Sequence, residues 1–331
     1  MRRRQFIAGL GSAAAWPVAA RAQQGALPVI GFLNLGSPDQ FPDELTAFRQ
    51  GLAGTGHLEG RNVAIEYRWA AGRVELLPQL AADLVRQQVA VIVAGASNAI
   101  VAAKASTSTI PIVFWTGVEP IRFGLVKALD RPDGNLTGFT LLTDEIVVKH
   151  LQLIREVAAN ARTLAALIDG NDPNGANVAN DLQAAAGTLG VQLDVLYAGN
   201  DRELEEVFTK LGESPPGGLV ISVNSFLARR FQLLAYFAIR HGIPTIAPDQ
   251  AVIRNPHAFV KAGGLMSYAA TDNFWRIIGV YAGRILKGDK PADLPIQRAT
   301  KFALVINMNT AKALGITFPT SILVRADEVI E

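Results

Sequence analysis

Val89-Ala90-Val91-Ile92-Val93-Ala94-Gly95-Ala96-Ser97-Asn98 is the stretch that decides how this chain folds. Six apolar residues in succession, four of them β-branched, make a strand with no polar face, so both of its faces must be covered. The small polar turn that follows, and the helical pattern at 98–107, describe a strand that runs into a helix. The phrase repeats on either side. Candidate strands are Val29–Leu33, Asn62–Trp69, Val89–Ala94, Pro111–Trp115 and Leu136–Phe139, separated by helical patterns at about 41–54, 75–87, 98–107 and 120–129. In 75–87, Leu76, Leu80 and Leu84 share one helical face, and Pro78 is tolerated because it falls in the first turn. Apolar strands alternating with helices predict a parallel sheet with helices on both faces.

The series then restarts. A helical stretch at 143–159 carries Val147, Leu151, Ile154 and Ala158 on one stripe. It leads to strands Thr163–Ile168, Val191–Tyr197, Gly218–Val223 and Pro244–Ala247, with helices near 175–188, 201–212 and 226–241. The remaining residues read as a strand at Phe259–Tyr268, a helix at 271–287 and a strand at Phe302–Asn307, too little to build a core of their own. They are expected to complete two lobes: 27–142 with about 265–292, and 143–264 with about 300–331. The fold class is therefore α/β, two Rossmann-like lobes with parallel sheets and several crossovers. The junction near 140–145 is a strand entering a helix rather than a Gly/Pro linker, so the lobes are expected to form a close-hinged clamshell.

Composition narrows the function classes. The chain has 331 residues, 50% hydrophobic and 18% charged, with a formal charge of +2, a balance that excludes disorder. It has no cysteine, which excludes disulfides, thiolate nucleophiles, iron–sulfur clusters and thiolate zinc sites. Arg2-Arg3-Arg4, an uncharged run to Ala20 and the Ala20-Arg21-Ala22 box are the three parts of a signal peptide at 1–22, cleaved after about Ala22. The paired arginines suit the twin-arginine route, and general secretion fits as well. Arg2, Arg3, Arg4 and Arg21 leave with this leader and no acid does, so the formal charge falls from +2 to −2. With it goes the suggestion of nucleic-acid binding made by a pI near 8.9. Gly9-Leu10-Gly11-Ser12-Ala13-Ala14 matches G-x-G-x-x-A, but no strand precedes it, so it is no dinucleotide site.

No catalytic motif stands in the sequence: no G-x-S-x-G elbow, P-loop or H-E-x-x-H. His57, His150, His241 and His257 lack metal-ligand spacing and are expected at surfaces or helix ends. Asp43-Glu44 and Asp144-Glu145 open helical stretches, where the helix dipole favours acids. No catalytic residue, metal or cofactor is assigned.

Ligands of open α/β sheets sit beyond the carboxyl ends of the strands. That rule selects Asn34 and Ser37 after the first strand, Ser97 and Asn98 after the third, and Trp115 with Thr116 at the end of the fourth. Ser97 and Asn98 can serve as helix caps, as ligand anchors, or as both. In the second lobe the equivalent loops supply Asn171, Asn224 and Asp249, the last either a helix cap or a partner for an ammonium group. Trp69, Trp115, Phe123 and Tyr268 stand at or near strand ends. Trp115 and Tyr268 are the candidates for an apolar wall, while Trp69 and Phe123 are read as core.

Longer strings add a resemblance. Ile110-Pro111-Ile112-Val113-Phe114, Glu119-Pro120, Gly124-Leu125-Val126 and Arg131-Pro132-Asp133-Gly134-Asn135-Leu136-Thr137-Gly138 are similar to one family. So are Ala262-Gly263-Gly264-Leu265-Met266-Ser267-Tyr268, the run from Arg284-Ile285-Leu286-Lys287-Gly288 to Leu294-Pro295, and Lys301-Phe302 through Leu314-Gly315. The chain resembles the ABC-transporter substrate-binding proteins, in the group that includes the tryptophan-binding TrpX-like lipoproteins. The resemblance implies a type I periplasmic binding protein with three crossovers that delivers a small solute, aromatic or amino-acid-like, to an inner-membrane ABC permease. It carries over Ser97 and Asn98 as ligand-anchor candidates; the ligand's anion is expected at Ser97, Asn98 and helix N-termini of the first lobe, and its apolar part at Trp115 and Tyr268. Relatives carry an acid in an Asp-x-Phe string where this chain has Asn224-Ser225-Phe226, and a Gly after the Ser-Tyr pair where it has Ala269. Lacking a cysteine to lipidate, the chain is expected free in the periplasm, as a monomer. Two rival readings use the same residues: a ligand-sensing module for a periplasmic sensor kinase, and a secreted hydrolase with a spatial triad.

Overall fold

The computed structural model describes residues 27–222, 225–248 and 257–331; the leader at 1–22, Asn224 and Asp249 lie outside them. The chain begins β1 (Val29–Asn34), α1 (Pro42–Ala53), β2 (Ala64–Trp69), α2 (Leu77–Arg86), β3 (Val91–Gly95), α3 (Ala96–Ser106), β4 (Ile112–Thr116) and β5 (Leu136–Thr140). It continues with α4 (Thr143–Val157), β6 (Thr163–Ile168), α5 (Gly175–Leu189), β7 (Gln192–Tyr197), α6 (Asp201–Glu213), β8 (Leu219–Ile221), α7 (Ser225–Ala228), α8 (Phe231–Arg240), β9 (Thr245–Ala247), α9 (Ala258–Lys261) and β10 (Met266–Ala270). It ends with α10 (Phe274–Leu286), β11 (Gln297–Arg298), β12 (Phe302–Asn307), α11 (Met308–Ala313), α12 (Thr320–Arg325) and β13 (Glu328–Ile330).

Among the described residues these strands make two sheets. The first has the order β11-β5-β4-β3-β1-β2, parallel throughout. All five residues of β3, Val91 to Gly95, are buried, as a central strand covered on both faces requires. The second sheet has the order β13-β12-β10-β9-β8-β6-β7, parallel except where β10 meets β12. The chain passes between the sheets three times: from β5 into α4, from β10 into α10, and from β11 into β12. The Asp272 carboxylate joins two of these passages by accepting the N–H groups of Thr300 (2.9 Å) and Lys301 (3.0 Å). In the other, Leu142 stands in the left-handed region at φ 51°, a conformation that side chains resist and that reorients the chain into α4.

Several expectations need correction. Residues 120–129 form no helix. Gly124 at φ 73° ends the first turn, and Lys104 Nζ takes the freed carbonyls of Gly124 (2.6 Å) and Leu125 (3.2 Å). The strand expected at Phe259–Tyr268 is a short helix, α9, then a break at Gly263 (φ 109°) and Gly264, then β10, which runs on to Ala270. That strand pairs with β9 and β12, so 266–270 belongs to the second sheet and not with the first lobe; the first sheet instead recruits β11 from beyond residue 292. The helix at 226–241 is interrupted at Arg229-Arg230. His150 is neither at the surface nor at a helix end but fully buried inside α4.

Helix α10 returns to the first lobe and packs against α1 through backbone. A Cβ on Gly51 would stand 2.0 Å from the Arg276 carbonyl oxygen, and one on Gly279 would stand 2.0 Å from that of Phe48. Only glycine permits that approach. It brings the start of α10, Phe274-Trp275, over the carboxyl end of β4.

Candidate functional site

A cavity of about 380 Å³ lies between the two lobes at the carboxyl ends of their strands. The first lobe lines it with Asn34, Phe41, Glu44, Ser97, Asn98, Trp115, Thr116, Phe274 and Trp275. The second contributes Asp169, Asn171, Asp172, Ser222, Phe226, Arg229 and Pro248.

The first-lobe side is an aromatic wall. Trp115 stands near the carboxyl end of β4 with its ring centroid 4.3 Å from that of Trp275 and 6.5 Å from that of Phe274; Phe41 lies 5.7 Å from Trp275. Behind them Phe32 supports Trp115 at 5.8 Å. The Trp115 ring lies directly on β3: a Cβ on Gly95 would come within 1.8 Å of its Cζ2. Gly95 thus makes room for the indole, and Ala96, at φ 66°, turns the chain sharply into α3 so that Ser97 and Asn98 face the same space. The Ser97 and Thr116 hydroxyls stand 3.5 Å apart, and Asn34 Oδ1 accepts the Gly36 N–H at 2.7 Å.

The second-lobe side is polar. Asp169 accepts the Asn171 N–H (2.8 Å), and Asn171 Nδ2 donates to the Gly199 carbonyl (2.8 Å). Burial raises the Asp172 carboxyl above its ordinary range, opposed by its hydrogen bond from the Asn174 N–H, with the nearby Asp169 charge adding to the rise. Phe226 is backed by the Arg230 guanidinium, 3.9 Å from its ring centroid, and that guanidinium is held by Asp201 at 2.5 Å. Arg122 of the first lobe and Asp181 of α5 in the second form an ion pair between the lobes.

Of the residues chosen from sequence, Asn34, Ser97, Asn98, Trp115, Thr116 and Asn171 meet around this cavity. Ser37 does not line it; its N–H donates to Gln40 Oε1 (3.3 Å) in the turn before α1. Tyr268 does not either. Its ring stacks on Phe302 and sits edge-on to His150 in the second lobe, because β10 belongs to that sheet. Trp69 and Phe123 pack in the core clusters of the first lobe. Phe41, Glu44, Phe274, Trp275 and Arg229 escaped sequence reasoning. An aromatic pair opening the helix that follows a strand was the available signal for Phe274-Trp275; Glu44, at 3% exposure, reads in sequence as an ordinary first-turn acid.

A site of this kind binds and encloses; among the described residues no cluster of His, Asp or Glu is arranged to hold a metal ion. No helix among them is long and apolar enough to cross a membrane. Comparison with known proteins agrees with the architecture. A conserved domain protein of Vibrio cholerae superposes with a TM-score of 0.79 at 24% identity, covering 92% of this chain and 100% of that one. An ABC domain of Streptococcus pneumoniae solved in complex with L-Trp gives 0.77 at 24% identity, again over 92% and 100%. The tyrosine-binding protein of Clostridioides difficile is 21% identical over 272 residues, 81% of this chain and 75% of that protein. The fold is the two-lobed clamshell of type I periplasmic binding proteins, shared also with a leucine-binding protein of Thermotoga maritima at a TM-score of 0.55 and 14% identity, over 81% of this chain and 78% of that one. The family model for ABC transporter substrate binding proteins matches residues 36–330, and the chain belongs to that family.

Proposed function

We propose that this protein is the periplasmic solute-binding component of an ABC importer, and that it closes by hinge motion on a small ligand with an aromatic ring. The observation that carries this reading is the cavity of about 380 Å³ between the lobes, walled on one side by Phe41, Trp115, Phe274 and Trp275. Such a wall offers face and edge contacts to a planar ring, each worth about 0.5–1.5 kcal/mol beyond simple burial. Asn34, Ser97, Asn98 and Thr116 supply the polar contacts that fix a ligand's orientation. The L-Trp complex among the structural neighbours and the tyrosine-binding relative support an aromatic amino acid. In this reading the protein carries out no chemistry of its own; a leader at 1–22 sends it to the periplasm, where it works as a monomer and presents the closed form to an inner-membrane permease.

A thermal-shift panel of aromatic amino acids, aromatic acids and purines tests the assignment. A ligand present at a hundred times its dissociation constant stabilises the native state by about 2.7 kcal/mol. At least one ring-bearing compound is expected to raise the melting temperature of the purified protein, with no rise in Trp115→Ala. If no member of the panel moves the transition, the aromatic assignment is wrong.

A further inference from the structure

Two of the three passages between the lobes run through exposed chain. Thr271, Asn273, Thr300 and Lys301 are all exposed, so no buried side chain of theirs fixes the second and third passages. Hydrogen bonds do so instead. One oxygen of the half-buried Asp272 carboxylate accepts two successive N–H groups, those of Thr300 (2.9 Å) and Lys301 (3.0 Å), and the Thr271 N–H donates to the Lys301 carbonyl (2.9 Å). Asp272 is not needed as a cap for α10: Asn273 takes that part, its side chain accepting the Arg276 N–H at 3.3 Å. A further bond, from the Ala299 N–H to the Thr140 carbonyl (2.9 Å), ties the third passage to the strand from which the first departs. Just beyond Asp272 the aromatic wall begins, at Phe274-Trp275.

We infer that Asp272 is a hinge clip, a positioning residue that makes the second and third passages turn as one. Opening two lobes requires φ and ψ of the connecting segments to change. Three independent connections would let the lobes slide and twist as well as open. A carboxylate oxygen shared by two adjacent N–H groups forms charge-assisted bonds in a small ring, so 271–272 and 300–301 cannot rotate separately without breaking one. With the third passage also tied to Thr140, the motion left is a common rotation that swings the second lobe towards the wall of Phe41, Trp115, Phe274 and Trp275. Asp272 does not line the cavity; it governs how closely the two sides of the cavity keep their register. This role rests on the hinge reading proposed above and adds to it the group that defines the axis.

Spin labels at Gln50→Cys and Glu206→Cys, exposed positions on α1 and α6 in a chain with no cysteine of its own, test it by double electron–electron resonance on ligand-free protein. Asp272→Ala is expected to widen the distance distribution between the lobes roughly twofold, as a second rotation is released. Asp272→Asn keeps an oxygen that can accept both N–H groups and is expected to hold the wild-type width. A distribution in Asp272→Ala no wider than that of wild type, or one equally wide in Asp272→Asn, overturns the clip. Amide exchange in the wild type gives a reading that needs no variant to fold. The N–H groups of Thr300 and Lys301 are expected to exchange slowly although both residues are exposed, and exchange at the open-chain rate also overturns the clip. L-Tryptophan and L-tyrosine added to the labelled wild type test hinge closure separately. A distribution that narrows or shortens with either supports closure; one that neither compound moves counts against closure on an aromatic amino acid, while the ligand-free comparison still decides the clip.

Discussion

His150 gives the sharpest quantitative test of the second lobe. It is fully buried in α4, where Nε2 meets the Tyr268 carbonyl oxygen at 2.6 Å and Nδ1 has no hydrogen-bond partner. The neutral tautomer that fits donates from Nε2; protonating Nδ1 would bury a charge with nothing to receive its N–H. Burial accordingly lowers the pKa from 6.5 to about 4, the bond to Tyr268 opposing the shift. In the unfolded chain the ring titrates near 6.5, so stability is intact above that pH and is lost as pH falls from about 6.5 towards 4, where the unfolded state takes up a proton that the fold refuses. At about 1.36 kcal/mol per pH unit the full gap is worth about 3 kcal/mol, of which about 2 kcal/mol is lost by pH 5. His150→Gln keeps an N–H within reach of the Tyr268 carbonyl and does not titrate. Urea unfolding followed by far-UV circular dichroism between pH 7 and pH 5 is expected to show wild type losing about 2 kcal/mol more than the variant, other groups cancelling in the difference. Parallel pH profiles, within about 0.5 kcal/mol, would refute the claim that His150 is held neutral by burial.

Two further perturbations probe the cleft. Gly95→Ala places a methyl where Trp115 Cζ2 lies 1.8 Å away; with that ring hemmed in by Trp275 and Phe32, the substitution is expected to cost about 1–3 kcal/mol in chemical denaturation and to abolish the ligand-induced thermal shift. Asp181→Asn breaks the ion pair with Arg122 between the lobes; because both groups are partly exposed, the loss is bounded at about 1 kcal/mol, or up to about a fivefold weaker Kd. The variant's affinity should also respond less to salt than that of wild type, and calorimetry at low and high ionic strength that shows the same salt slope in both would exclude an electrostatic latch.

Much of the site was legible because the chain obeys a local rule. A strand of consecutive apolar residues has to be central, and the residues just past its carboxyl end have to face the open edge of the sheet; Asn34, Ser97, Asn98, Trp115 and Thr116 follow from that alone. Tyr268 was misplaced because the rule says nothing about which sheet a late strand joins. β10 is chosen by pairing with β9 and β12, which involves partners from Thr245 to Asn307. Phe274 and Trp275 look like the apolar stripe of a core helix until the glycines of α1 and α10 draw that helix across β4. The failure at 120–129 has a different cause: the apolar spacing was helical, but one left-handed glycine outweighed it.

The sequence by itself determined the class of this molecule. Alternation of buried strands and amphipathic helices, repeated in two series, allows little else, since each element must cover its apolar side with the next. It also determined that the first lobe offers small polar groups and an indole at its strand ends. Only the tertiary structure decided where the charges meet. Glu44 is an unremarkable first-turn acid in sequence and a buried cavity wall in the fold. Arg229 is one of two adjacent arginines in sequence, yet in the fold one is consumed by Asp201 and Phe226 and the other reaches Gly72 across the cleft. Local patterns fix which residues are buried, because burial follows from periodicity; which buried or facing groups become partners depends on the three crossings that set one lobe against the other.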